Sequence, residues 1–525
     1  MRVFHLVFGS TLLLAPSYAQ HTNHTQEFVG WQESPNVRGT MDIIWTCLFT
    51  VFICVWTAVH LNVPAPPGTD SAIDLWLRRI KWVGNCCIVP EIVMMLAAGQ
   101  WSFARSCWRE MRDILAEQDS QVIMERGDMP VVKTVTDPVV SVTATPPSPP
   151  AIDGDEIQMV EMSRPKMQRS ETFAEREERE DDERWTLRHA FFANMGGFRL
   201  KEQGNPVPYL INAKHINYLV RKGYIDLPTI TTLEINDHSK SDSLAKFLAI
   251  MQVGWLAVQV IARAIQKLET TLLEITTLSF VVCTMGSFIA WYRKPYDVQT
   301  YVLLSMKHGY TVNDIDLTFT DQKDAKHRNL LEEYQSEHPS NECKILNERG
   351  QLVAPYTKLD IIDDGEPTFT GTFTDKYRKY WGGQVGNPNR IRNDRLPIME
   401  HRVTFIIAVI TFAYAGLHAA AWNIPLPTNI EQLLWRISSI VMLGCCVAWF
   451  GMDHFQEYRI NKKEREGIVD RDSIVPWWRI PASILVATVY GLSRIYVLVE
   501  SFVALRSMPV STYQQVDWGK WVPHI

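Results

Sequence analysis

The chain has 525 residues, of which 46% are hydrophobic and 21% charged, with net charge −6 and mean hydropathy −0.09. Those averages conceal two populations, because apolar blocks of about 20 residues, each long enough to cross a bilayer, alternate with charged stretches. This arrangement excludes a soluble globular enzyme, and the acidic balance leaves no footprint for nucleic acid; the partner it implies is the lipid bilayer.

In chain order, residues 1–19 read as a cleaved secretory signal. Arg2 precedes the apolar run Val3 to Ala15, and Ser17-Tyr18-Ala19 forms a small-x-small cleavage site. Asn23-His24-Thr25 follows as an N-glycosylation sequon, which suits a lumenal or extracellular start and makes Asn23 the expected glycan site. Together these features place the protein in a membrane of the secretory pathway.

Seven segments are apolar enough to span about 30 Å of hydrocarbon: 41–61, 81–101, 245–265, 271–292, 402–421, 433–451 and 479–503. Trp82, Trp101, Trp291, Tyr292, Trp422 and Trp435 mark their ends as an aromatic belt does. Inside lipid every backbone N–H needs a partner within its own segment, so these stretches are expected to be helices. They group as hairpins over 41–101, 245–292 and 402–451, with a single seventh span over 479–503. The expected fold is all-α, a polytopic bundle of about seven spans with a disordered loop and small folded regions outside the membrane.

Residues 119–184 read as disordered, with the Pro-rich run Thr143 to Pro150 and the acidic run Glu175 to Glu183. Residues 185–244 read as folded: Trp185 to Phe198 is apolar, and Asn212 is placed to cap a helix over Ala213 to Arg221. The region 293–400 mixes short strand-like runs with turns, and 452–478 reads as a charged helical extension. An internal repeat is also visible. Asn62-Val-Pro64-Ala-Pro66, Leu75-Trp76, Gly84 and Cys86-Cys87 match Asn423-Ile-Pro425-Leu-Pro427, Leu434-Trp435, Gly444 and Cys445-Cys446 in order. With seven crossings, the two hairpins would be copies in the same orientation, as in some transporters.

Sidedness sets two rules in conflict. A cleaved signal and seven spans put every long loop outside, yet Arg105, Arg109, Arg112, Lys240, Lys246, Arg293, Lys294, Arg395, Arg402, Lys462, Lys463 and Arg465 lie on that side. The opposite side has chiefly Arg78, Arg79, Lys81, Lys267, Arg436 and Arg506. The positive-inside rule wants the loops in the cytosol, so either the signal is retained or one span does not cross.

Ionisable groups within spans are the strongest site signal, since each costs about 2.5–3.5 kcal/mol at mid-membrane on insertion scales. Glu91, directly after Pro90, and Arg494 in the seventh span form an opposite-charge pair by depth. Gln252, Gln259 and Arg263 fall on one face of the third span, and Arg263 and Glu274 lie equally far from the turn between spans three and four, so they could pair. The structural alternative is polar glue fixing helix register. His60 and His418 near span ends read as interfacial. Most of the nine Cys lie in apolar blocks and act as small hydrophobes.

Other chemistry is missing from the sequence. There is no Walker A loop, dinucleotide Gly fingerprint, HExxH or G-x-S-x-G elbow, and no metal-ligand spacing, so no catalytic constellation, cofactor or metal is expected. Met195-Gly196-Gly197-Phe198 reads as a tight turn, and the carboxylates Asp314 with Asp316 and Asp360 to Asp364 read as solvated turns. Arg164 to Ser170 matches a basic-directed kinase site.

Several stretches carry a resemblance. Arg38-Gly-Thr-Met-Asp42-Ile-Ile-Trp45-Thr-Cys47 with His60-Leu-Asn62-Val-Pro64 resembles the opening of a large fungal family of polytopic membrane proteins. So do His189 to Phe198, the Gln252 to Arg263 stripe, Lys294-Pro295-x-Asp297-Val298, Trp435-Arg436-Ile-Ser-Ser439 and Val522-Pro523-His524-Ile525. The resemblance implies a fungal origin and a membrane fold; it supplies no catalytic residues and no activity. The functional expectation is a transporter or channel-like protein with Glu91, Arg263, Glu274 and Arg494 in the bundle interior. The alternative is a receptor or scaffold acting through its loops. Protein partners and oligomeric state are not encoded in any motif.

Overall fold

The computed structural model describes residues 27–34, 37–65, 70–125, 184–202, 208–238, 243–307, 309–312, 315, 345–346, 352–353, 391, 399–465 and 478–520. Asn23, the signal region, the Arg164 to Ser170 motif and the paired carboxylates of the 314–364 region lie outside the described residues.

The helices in chain order are α1 (Thr40–Ala58), α2 (Ala72–Ile88), α3 (Pro90–Glu125), α4 (Leu187–Asn194), α5 (Ala213–Arg221), α6 (Thr232–His238), α7 (Ser243–Ile265), α8 (Leu272–Ala290), α9 (His401–Ala420), α10 (Asn429–Arg465), α11 (Arg479–Val503) and the one-turn α12 (Val510–Tyr513). Strand is confined to short pieces. β1 (Phe28–Val29) pairs antiparallel with β7 (Met508–Pro509), and β5 (Ile345–Leu346) pairs with β6 (Leu352–Val353). In the third sheet β2 (Phe198–Lys201) lies between antiparallel β3 (Tyr209–Leu210) and parallel β4 (Val302–Ser305). The chain is an all-α polytopic bundle. Among the described residues six helices are long and apolar enough to cross a membrane (α1, α7, α8, α9, α10, α11), and the bent pair α2–α3 is the seventh candidate.

The central helix is α8, which packs against α1, α3, α9 and α11. It is rich in small and hydroxyl residues, as helix contacts in lipid require, because close approach replaces the missing hydrophobic drive. Thr277, Ser279 and Ser287 return their hydroxyls to the carbonyls of Leu273, Ile275 and Cys283 at 2.7, 2.9 and 3.2 Å. Thr276 and Thr284 are paired as well, so each of the five α8 hydroxyls has a partner. Gly286 sets the approach of α3, since a Cβ there would meet Met94 Sδ at 2.8 Å.

Among the described residues, two ends of the bundle can be distinguished by what meets there. At the terminal face, β1 meets β7, the Arg38 N–H donates to the Tyr513 carbonyl, and Arg506 pairs with Glu431. At the loop face, Lys294 after α8 meets Asn62 after α1 and Gln100 on α3, and Arg109 pairs with Glu400 before α9. α1 and α8 run parallel, with Cys47 against Thr277 and Cys54 against Thr284. α9 runs the other way, from Glu400 at the loop face to the connection before α10 at the terminal face.

Two expectations change. The apolar stretch 81–101 is not one continuous span: the chain breaks at Val89, and α2 and α3 are bent by 112°. Both flanks of this hairpin sit at the loop face, because Arg78 donates to the Asn62 carbonyl at 2.8 Å and Gln100 accepts from Lys294. The repeat copies are also not in the same orientation, since α1 and α9 run in opposite directions. Their equivalent cysteines, Cys86 and Cys446, nevertheless both approach Cys283 and Glu91.

Outside the membrane-length helices, α4, β2, β3, α5 and the far half of α3 form a folded unit at the loop face. Its core is continuous with the bundle through Phe191, Phe198, Ile216 and Met111. Asn212 caps α5, accepting from the His215 N–H at 3.0 Å. Gly196 makes the turn into β2 at φ +88, a left-handed conformation that side chains resist.

Candidate functional site

The helix break follows from two adjacent residues. A residue before proline is driven out of the α region, and Val89 sits at φ −135, ψ 66. Pro90, lacking an N–H, suits the first position of the next helix. The break frees the Ile88 carbonyl and puts Glu91 in the first turn of α3, deep in the bundle.

Four side chains from two other helices close around it. Tyr414 and His418 lie one turn apart on α9, and Tyr490 and Arg494 one turn apart on α11. Arg494, 1% exposed, donates from Nε to the Ile88 carbonyl at 3.3 Å and from Nη1 to His418 Nε2 at 3.0 Å. Its guanidinium carbon also lies 5.1 Å from the centre of the Tyr414 ring. His418 uses its other nitrogen, Nδ1, on the Tyr414 carbonyl at 3.0 Å. The arrangement defines a neutral imidazole that accepts at Nε2 and donates at Nδ1. Glu91 faces Arg494 and the Tyr490 hydroxyl without a direct ion pair. Both carboxylate oxygens and the hydroxyls of Tyr414 and Tyr490 lack a hydrogen bond of ordinary geometry. Glu91 and Arg494 therefore share one cluster, in which Arg494 is bonded to the Ile88 carbonyl at the break and to His418.

Arg263 and Glu274 sit at the terminal face, at matching depth, but each is bonded elsewhere. Arg263 makes five hydrogen bonds to four carbonyls, those of Glu269, Ser511, Thr512 and Gln514. Glu274 pairs with Arg38 and accepts from the Thr271 N–H and hydroxyl at 2.9 Å each, a capping box at the start of α8. Gln252 and Gln259 are half-buried on α7, and Gln252 donates to the Thr50 hydroxyl at 3.0 Å.

A third cluster lies at the loop face. Lys294, 3% exposed, donates from Nζ to the His60 carbonyl, Asn62 Oδ1 and Gln100 Oε1, each at 2.9 Å, with the amino group 5.0 Å from the Trp291 ring centre. Burial, with the nearby Arg78 charge, pulls its pKa from 10.5 down to about 7. A small cavity beside it is lined by His60, Gln100, Trp82, Val93, Leu96 and Trp291, and Glu91 is not in its wall.

Sequence reasoning found Glu91 and Arg494 but not the residues that complete their site. His418 and His60 are both buried within the protein. The available signal was helical spacing: Tyr414 with His418 and Tyr490 with Arg494 are i, i+4 pairs of polar residues inside apolar helices. Lys294 was legible only as a basic residue beyond a span, because its burial depends on a fold that brings Asn62 and Gln100 together.

No curated protein and no solved structure matches the chain. A family model described as a family of unknown function (DUF8562) matches residues 7–136, 154–317 and 379–525, covering most of the sequence and all three clusters. The chain belongs to that family.

Proposed function

We propose that this protein is a transporter-type integral membrane protein and that the Glu91–Arg494–His418 cluster is its working site. One observation carries the reading: a carboxylate with unsatisfied oxygens stands at a helix break in the middle of a membrane-length bundle. Unpaired ionisable groups at this depth are expensive and mark ion and proton pathways. Broken helices and oppositely oriented repeats around a midplane site are shared features of secondary transporters. Glu91 is the group that takes up and releases a proton, with Arg494 holding it in place and Tyr490 as its hydroxyl neighbour.

In this reading α2–α3 enters and leaves on the loop face, leaving six crossings with β1 and β7 both on the terminal face. The conflict between the signal and the positive-inside rule then disappears. Arg78, Arg79, Arg105, Arg109, Arg112, Arg293 and Arg402 all lie toward the loop face, which is cytosolic. The terminal face, with Asn23 glycosylated beyond a cleaved signal, is lumenal or extracellular in a secretory-pathway membrane of a fungal cell. A receptor or scaffold is the second reading, favoured by Glu91's absence from the cavity lining and by the folded unit built onto the loop face.

The test is proton movement in proteoliposomes loaded with a pH-sensitive dye and subjected to an inward pH step. The wild type should dissipate the gradient faster than empty vesicles, and Glu91→Gln should abolish the excess. Equal rates for both proteins would leave the receptor or scaffold reading standing.

A further inference from the structure

The two faces of α2 are inverted relative to a helix on a water-exposed surface. Its arginines turn toward the protein. Arg78 donates to the Asn62 carbonyl at 2.8 Å, and Arg79 donates to the Tyr296 hydroxyl and lies 3.6 Å from the Asp297 carboxylate. The Arg79 guanidinium carbon is also 4.3 Å from the centre of a Trp56 ring on α1. The large apolar residues turn outward instead. Ile73, Trp76, Leu77 and Ile80 fall on one helical face and are 57–70% exposed. Ile88 at the end of α2 and Ile92 just past the break are exposed too.

The bend fixes how this face lies. The first turns of α3 run beside α8 toward the loop face, with Met94 packed against Gly286 and Gln100 accepting from the Trp291 indole N–H at 3.0 Å. A bend of 112° leaves α2 nearer perpendicular than parallel to those two helices. At about 1.5 Å per residue its 17 residues are about 25 Å long, and at this tilt they climb only about 10 Å from the break toward the loop face. Half of a hydrocarbon core is about 15 Å deep, so a helix that climbs this little from the break stays within one leaflet.

We infer that the outward face of α2 is a lipid-contact surface, seated obliquely in the leaflet nearer the loop face, with Ile73, Trp76, Leu77 and Ile80 against lipid. The inference needs only that the long helices cross the bilayer, and it is independent of the transport reading. A contiguous apolar face marks a membrane or protein contact, and continuity with the outer faces of the neighbouring helices selects the membrane. On the α1 side, exposed Phe52 stacks at 5.9 Å on Trp56, the residue against which Arg79 lies. On the α3 side, Ile88 leads to Ile92. Lys81 is exposed at the edge of the face, where its long stem lets the amine reach toward the headgroups, and Trp76 is a residue type enriched at that depth. The last residue of α2 supplies the Ile88 carbonyl to Arg494, so the lipid-seated helix and the midplane cluster share a hydrogen bond.

The test is photolabelling of the unaltered full-length protein in phosphatidylcholine vesicles, read by peptide mass spectrometry. Two diazirine phospholipids are used, one with the reactive carbon near the glycerol and one with it near the chain end. Ile250, Val258 and Ile261, on the exposed face of the membrane-length helix α7, are the internal standard. The shallow probe should mark residues 73–80 severalfold more than the deep probe does, and the deep probe should favour Ile88 and Ile92. Absence of adducts on 73–80 while α7 is marked overturns the inference. So does a photo-cross-link between two copies through 73–80, which would make the face a protein interface. Stronger marking of 73–80 by the deep probe also overturns it, because α2 would then cross steeply. Photolabelling reads no flux, so this result stands apart from that of Glu91→Gln.

Discussion

The terminal-face cluster around Arg263 and the midplane cluster around Glu91 are both buried, charged and part of the same bundle, but they are completed differently. Arg263 spends its donors on four carbonyls, and Glu274 fills its oxygens with Arg38 and the cap of α8. At the midplane the cation is bonded, but the carboxylate opposite it and two tyrosine hydroxyls are not. A saturated charge network holds elements in register. An unsaturated one keeps a cost that structure alone does not repay, and that cost is the physical ground for assigning it a function.

Substitutions can break or sharpen this contrast. Arg263→Ala should have the largest effect, a loss of about 3–5 kcal/mol from an uncompensated buried site. It should be read as a lower unfolding midpoint and faster proteolysis of the 508–514 segment. Glu274→Gln keeps the shape but loses the charge-assisted bonds to Arg38, for about 1.5–3 kcal/mol by the same unfolding assay.

Lys294 should appear in the pH dependence of stability. The folded chain releases this proton at about 7 while an unfolded lysine holds it to about 10.5, so between those values the unfolded state binds more protons. Stability should therefore rise with pH through that window, by at most about 1.4 kcal/mol per pH unit, and Lys294→Met should flatten that part of the profile. Glu91→Gln should have the smallest effect on stability, within about 1 kcal/mol or slightly stabilising, because it keeps the shape of a carboxyl that has no direct partner to lose. A large destabilisation by Glu91→Gln would assign this cluster to structure as well.

Much of the architecture was legible in the sequence because lipid imposes so few choices. Apolar length gave α1, α7, α8, α9, α10 and α11, and the cap at Asn212 gave α5 to its last residue. The turn of α2 away from α3 was less visible. Val89-Pro90 is a break signal, but hydropathy averaged across 81–101 conceals it. That one break reversed the apparent orientation of the repeat and, in our reading, the sidedness of every later loop. Opposite charges at equal depth pointed to Arg263 and Glu274, which the structure does not bond to each other. Their actual partners, Arg38 and the carbonyls of 269 and 511–514, come from segments far away in sequence, which spacing does not reveal.

The most direct test compares the two buried carboxyls in the unaltered protein. Native membranes are treated with dicyclohexylcarbodiimide, a lipid-soluble reagent for carboxyls that carry a proton, and the peptides are analysed by mass spectrometry. Our account predicts modification at Glu91 and none at Glu274. Modification of Glu274 with Glu91 spared would contradict it.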